Sequence, residues 1–214
     1  ALPYYISNKI TDRAEVVPRN EDFFKKKYNV DVYTGHRVLE IKPEIKTVTV
    51  ENLATQEVFS ETYDKLLIAT GAVSTMLPIE GSDKENVFSL RNVVNADRIR
   101  EFILEANPKN VVIVGTGFIG MELSETFFKR GIQVTLVELA PHVMPTLDSE
   151  MSEELEKYLH EKKVTIVTGD SAAKFTGSPL VNKVILKSGR MLETDFVIMA
   201  VGIKPNVSLA QKAG

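Results

Sequence analysis

Three glycines set the terms for this chain. Gly115, Gly117 and Gly120 stand in the run Gly115-Thr116-Gly117-Phe118-Ile119-Gly120, directly after the all-apolar residues 111–114. Directly after it, Ile119, Leu123 and Phe127 recur at spacings of four. An unbroken apolar run reads as a parallel strand covered on both faces, and the spacing of four reads as an amphipathic helix. At a strand-to-helix turn, the first glycine allows a tight bend that a Cβ would obstruct. The second lets a pyrophosphate approach the backbone, and the third lets helix and strand pack closely. The phosphates then face free N–H groups at the positive end of a helix. Glycines also punctuate ordinary loops, so the flanking elements carry the reading. A second predicted strand, 134–137, ends in Glu138, 18 residues past Gly120. A carboxylate there can accept hydrogen bonds from an adenosine ribose. The same carboxylate repels a 2′-phosphate, and Leu139, Ala140 and Pro141 supply no cation, so NADH is expected over NADPH. His142 would weaken that expectation if it turned inward; a solvent-facing loop histidine is the expectation.

Elsewhere the pattern alternates helices and short strands. Residues 20–28 read as a helix with Asn20 as N-cap and Glu21 and Asp22 in its first turn. Strands are predicted at 30–33, 38–41 and 47–50, then a hairpin toward Phe59, and an apolar strand at 66–69 bounded by Thr70 and Gly71. A helix at 95–106 places Ile99, Phe102 and Ile103 on one face and stops at Asn107-Pro108. After the glycine turn the helix runs over 118–130, with Gly131 set to end it. A further helix is predicted at 149–162, with Met151, Leu155 and Leu159 on one stripe, then a strand at 164–167. Short strands near 173–175, 181–186 and 191–192 form a meander before a last strand at 196–201. The division falls near 86–91, giving domains 1–89 and 90–214.

The two halves echo one another. Asp64-Lys65-Leu66-Leu67-Ile68-Ala69-Thr70-Gly71 matches Asp195-Phe196-Val197-Ile198-Met199-Ala200-Val201-Gly202 in pattern. A duplicated nucleotide-binding domain is the expectation. Its upstream copy should then own a second glycine turn, but Gly115 lies 87 residues before Gly202, and the same count back from Gly71 passes Ala1.

Composition excludes more than it selects. Twenty-six basic and 29 acidic side chains give a net charge of −3, which offers no footprint for nucleic acid or a membrane surface. Apolar runs such as 197–203 are strand-length, far short of a bilayer span. No signal peptide is visible, so the cytoplasm is the expected compartment. With no cysteine, disulfides, thiolate zinc and thiol catalysis are absent from these residues, and no metal site is expected.

On these features the chain resembles the pyridine nucleotide-disulfide oxidoreductases, nearest to the coenzyme A-disulfide reductase and persulfide reductase branch. The resemblance rests on Ala1-Leu2-Pro3-Tyr4-Tyr5, residues 63–72, Leu90-Arg91-Asn92, residues 115–122 and 137–145, and Gly202 with Pro205-Asn206. It implies an α/β fold: a Rossmann-like NAD-binding domain, parallel sheet plus β-meander, beside a partial FAD-type domain of the same duplicated design. It implies FAD and NADH as cofactors and a redox cysteine immediately before Ala1, so that the chain reads as an inactive fragment truncated at both ends. Hydride would pass from NADH through FAD to a small-molecule disulfide or persulfide such as coenzyme A disulfide, in an intact homodimer.

By the same resemblance Phe118 matches an aromatic that covers the flavin until nicotinamide enters, with a core helix residue as the other reading. Ile119 would touch the nicotinamide. Thr70 and Gly71 match a segment near the flavin, and Gly202 a close backbone approach to NAD. Lys27 aligns with a basic residue for coenzyme A phosphates; a solvated lysine run, Lys25-Lys26-Lys27, is the alternative. Glu122 keeps two readings: a solvated helix residue, or a carboxylate facing the redox centre and needing a cationic partner. NADH oxidase or peroxidase chemistry, reduction of an iron–sulfur protein, and a non-catalytic NAD-binding module remain as rival functions.

Overall fold

The apolar runs of the second half lie side by side as a parallel sheet. A computed structural model describes residues 1–214. In chain order its elements are α1 (Leu2–Ile6), α2 (Arg13–Val16), α3 (Glu21–Tyr28), β1 (His36–Lys42), β2 (Thr47–Asn52), β3 (Val58–Thr62), β4 (Ala72–Ser74) and β5 (Val87–Phe88). They continue with α4 (Val93–Ala106), β6 (Asn110–Val114), α5 (Phe118–Lys129), β7 (Gln133–Val137), α6 (Ser149–Glu161) and β8 (Thr165–Val167). The rest are β9 (Ala172–Thr176), β10 (Lys183–Leu186), β11 (Met191–Glu193), β12 (Phe196–Met199), β13 (Ile203–Pro205) and α7 (Ser208–Lys212). Two compact units result, Ala1–Val16 with Ser74–Ile203, and Val17–Val73 with Lys204–Gly214.

The larger unit is a sandwich around a five-stranded sheet in the order β5-β12-β6-β7-β8, with all pairs parallel. Side chains alternate across a strand, and the two faces of β6 meet different partners. Val111 and Ile113 pack with Ile99, Ile103, Leu123, Phe127 and Leu159 of the helices. Val112 and Val114 pack with Phe175, Val184, Leu186 and Leu192 of the antiparallel meander β11-β10-β9. Both faces being covered, the strand is apolar throughout; each fully buried Ile, Leu or Phe contributes about 1.5–3 kcal/mol. Tyr5 and Ile6 of α1 join the helix-side core. Tyr5 donates its hydroxyl to Asp97, and Arg130 donates to the Ile6 carbonyl.

The smaller unit holds α3, α7 and the antiparallel sheet β1-β2-β3. Asn20 caps α3 by accepting from the Phe23 N–H at 3.0 Å, as its position predicted.

Four expectations differ from the structure. The compact units are bounded differently from 1–89 and 90–214, and residues 86–91 lie inside the larger one. Val87, Phe88 and Leu90 are buried, and β5 is the edge strand of the parallel sheet. The buried Asn86 side chain bonds Val181 N–H and C=O and the Asp195 carbonyl, so it holds strand and meander together. Residues 66–69 form no strand and Leu67 is 89% exposed. A buried parallel strand needs ladder partners for its backbone groups, and this segment has none. The predicted strand at 30–33 is likewise absent. Finally, Met151 is 61% exposed, although Leu155 and Leu159 of the same stripe do pack on the core, joined by buried Ser152.

Candidate dinucleotide site

The glycine turn sits where β6 ends and α5 begins, beside the end of β12. A Cβ on Gly115, whose φ is +99°, would fall 2.5 Å from the Ala200 carbonyl oxygen. One on Gly120 would overlap the Gly115 oxygen far inside van der Waals contact, so neither position takes a side chain without moving backbone. Gly117 is different: a Cβ there meets nothing within 4 Å. It is the N-cap of α5 and offers no side-chain cap. The N–H groups of Phe118, Ile119 and Gly120 make no hydrogen bond, and the first α5 bond is donated by Met121 to Gly117. Such uncommitted donors on an open backbone suit an anion.

Glu138 stands at the end of β7, held by three donors. Its Oε2 accepts from Thr116 N–H at 2.9 Å and Thr116 Oγ1 at 2.7 Å; its Oε1 accepts from Ala140 N–H at 3.0 Å. Thr116 is fully buried, and its hydroxyl also accepts from Met144 N–H at 3.2 Å. A carboxylate has about four lone-pair sites, so about one remains for an outside hydroxyl.

A cleft of about 710 Å³ opens over this edge. Gly115, Gly117, Phe118, Ile119, Glu138 and Gly202 all line it. Phe118 is 71% exposed and Ile119 is 37% exposed, so both apolar side chains face outward. That disposition does not suit a core helix residue at 118. Thr116 and Gly120 are buried and shape the turn from within. Leu77, Pro78 and Ile79, between β4 and β5, supply apolar wall, and Asp170, Ser171 and Lys187 add polar groups. Sequence spacing gave no sign of these six.

The remaining candidates lie elsewhere. Thr70 and Gly71 belong to the smaller unit, where Asn206 takes up their polar groups: Thr70 donates its hydroxyl to the Asn206 carbonyl, and Asn206 N–H donates to Gly71. Lys27 is exposed and lies over the Phe23 and Tyr28 rings at 5.4 and 5.5 Å. Glu122 is exposed on α5 and forms no ion pair. His142 does not line the cleft; its Nδ1 is 3.7 Å from Glu156. No set of three His, Cys, Asp or Glu side chains could hold a metal ion, and no helix is long and apolar enough to cross a membrane.

A parallel sheet, a glycine turn at its carboxyl edge and an acid ending the next strand define a Rossmann-type α/β protein. The family model for pyridine nucleotide-disulphide oxidoreductases matches residues 2–214, and the chain belongs to that family. Among curated relatives it is 34% identical to an NADH oxidase of Methanocaldococcus jannaschii, over 100% of this chain and 48% of that protein. It is 33% identical to a coenzyme A disulfide reductase of Staphylococcus haemolyticus, over 96% of this chain and 45% of that protein. Among solved structures, the reduced CoADR-RHD of Bacillus anthracis superposes with a TM-score of 0.95 at 37% identity, covering all of this chain and 38% of that one. An NAD-dependent persulfide reductase from A. fulgidus gives 0.93 at 34% identity, covering 100% and 40%. The chain spans about half the length of the curated relatives it matches.

Proposed function

We propose that this chain carries the pyridine-nucleotide site of an FAD-dependent oxidoreductase whose final acceptor is a small-molecule disulfide or persulfide. The observation that carries the nucleotide half is Gly117: open space on its Cβ side, next to three unspent N–H groups, in a cleft large enough for a dinucleotide arm. In this reading the 118–120 amides hold the diphosphate and Glu138 takes one ribose hydroxyl. Phe118 and Ile119 then offer apolar surface to the nicotinamide, and Gly202 lets the backbone come close. Glu138 favours NADH, because a 2′-phosphate beside a carboxylate is repelled.

Family membership brings FAD, which would accept the hydride and pass electrons to the acceptor. Four clefts are walled by residues of the larger unit, and Thr70 and Gly71 line none of these. Their proposed place near the flavin therefore rests on the family resemblance. The acceptor assignment rests on the relatives and on Leu2-Pro3-Tyr4-Tyr5. There Tyr5 is committed to Asp97, and Tyr4 stays exposed with Lys9 over its ring at 5.1 Å. Lys27 as a coenzyme A contact and Glu122 as a carboxylate near the redox centre stay secondary proposals, since both are exposed.

Titration of the purified chain with NADH, followed by nucleotide fluorescence and by calorimetry, tests the site. Saturable one-to-one binding is expected; flat traces at millimolar nucleotide would end this reading.

A further inference from the structure

Sequence alone supplied no cation near Glu138, yet the fold brings one. Lys187 lies 49 positions further along the chain, in the tight turn joining β10 to β11, and it is the only cationic residue lining the cleft. Three segments meet there through backbone bonds. Asp170 N–H donates to the Glu138 carbonyl at 3.1 Å, and Lys187 N–H donates to the Ser171 carbonyl at 2.9 Å. Lys187 is therefore two strand spacings from Glu138, about 10 Å between backbones, a gap that a lysine side chain and a phosphate together span.

Two features leave this exposed ammonium without a partner inside the protein. First, both acids of the cleft accept bonds from their own surroundings and neither pairs with Lys187. Glu138 holds Thr116 and Ala140; Asp170 accepts from Ser171 N–H at 2.8 Å and from both the N–H and the hydroxyl of Ser188. The Ser188 hydroxyl bond holds the Asp170 carboxyl below the ordinary carboxylate range, so Asp170 stays a charged clasp that fixes the turn presenting Lys187. Second, Lys187 makes no ion pair within 4.0 Å, whereas Lys183 on the same hairpin pairs with Glu193 at 3.6 Å. On the residue whose carbonyl accepts from Lys187 N–H, the Ser171 hydroxyl is shielded from water and has no partner.

We propose that Lys187 recognises the 2′-phosphate of a phosphorylated pyridine nucleotide, so that the cleft takes NADPH as well as NADH, with Glu138 still favouring the latter. This rests on the dinucleotide reading of the cleft. In this assignment the phosphate lies between Glu138, the 170–171 segment and Lys187, all of which line the cleft, and Lys187 supplies the charge that offsets Glu138.

Calorimetric titration of the 214-residue chain with NADH and NADPH, in parent, Lys187→Ala, Lys187→Arg and Lys183→Ala forms, is the test. Lys187→Ala should weaken NADPH about tenfold, the worth of one partly exposed charge-assisted contact. NADH should move less than about twofold, Lys187→Arg should keep most of the NADPH affinity, and Lys183→Ala should change neither. Added salt should erode the Lys187-dependent part. Parallel losses for both nucleotides, or NADPH affinity indifferent to Lys187, would overturn the assignment, as would a parent chain that binds NADH and no NADPH. A parent chain that binds neither nucleotide overturns the dinucleotide site itself, and this assignment with it.

Discussion

Replacing Gly117 by alanine adds one methyl group at a point where the protein has nothing to collide with and a bound diphosphate does. The backbone there is φ −67° and ψ −176°, open to any L-residue, and the new Cβ meets no atom within 4 Å. Two small terms act on stability. Alanine narrows the unfolded ensemble, worth about 0.4–1 kcal/mol in favour of folding. It is also a poorer N-cap than glycine, costing roughly 0.5–1 kcal/mol. They nearly cancel, so the melting temperature should stay within about 4 °C of the parent. Binding is another matter. A phosphate oxygen accepting from the 118–120 amides sits about 2.9 Å from their nitrogens, in the space the methyl would fill. Losing one such charge-assisted bond costs about 1.5–3 kcal/mol, a fall in NADH affinity of roughly tenfold to a hundredfold. Calorimetric titration alongside thermal melting reads both quantities on one sample. A Gly117→Ala chain that binds NADH as tightly as the parent would show that no diphosphate passes this glycine. One that fails to fold would show that the space is not open.

Gly120→Ala should do the reverse, costing roughly 3 kcal/mol or more because backbone must move to admit the Cβ; a denaturant midpoint unchanged from the parent would contradict the geometry. Glu138→Gln turns one of its two acceptor ends into a donor facing either Ala140 or Thr116, so a loss of about 1–2 kcal/mol in stability is expected. The NADPH-to-NADH affinity ratio should rise in the same variant, and calorimetry showing that ratio fixed would remove Glu138 from nucleotide selection. Asp170 has a carboxyl pKa lowered by folding, so its stabilising effect is complete above about pH 4 and fades as acid protonates it. Asp170→Asn should therefore flatten the acid limb of the pH–stability curve and leave the neutral limb parallel to the parent. Asn86→Ala strips three hydrogen bonds from a buried site and should cost about 3 kcal/mol in urea unfolding.

What could be read in the sequence was local. The glycine turn, β6 and α5 are adjacent in the chain and each carries its own pattern, so the turn was legible to the residue. Glu138 was legible because the next parallel strand follows at a standard distance. The apolar run at 66–69 was misread because its pattern states what a strand would bury, and only neighbouring strands make it one. Met151 was misplaced because a spacing of four names a helix face without saying how far along it the core extends: Leu155 and Leu159 meet the core, and Met151, in the first turn of α6, does not. β5 is two residues long, too short for any period, and it is fixed by Asn86 reaching residues 181 and 195. Asp170 and Ser171 come from one connection and Lys187 from another, and no spacing rule anticipates their convergence.

One hydroxyl ties the nucleotide turn to its surroundings. Thr116 Oγ1 donates to Glu138 and accepts from Met144, whose own backbone sits at φ +48°. The rotor cannot turn without undoing both bonds at once. A ligand that shifts the glycine turn should therefore disturb residue 144, and exchange of the Met144 amide with deuterium would report it. Serine at 116 would preserve that signalling; valine, equal in shape, would cut the wire and leave the turn and the loop to breathe separately.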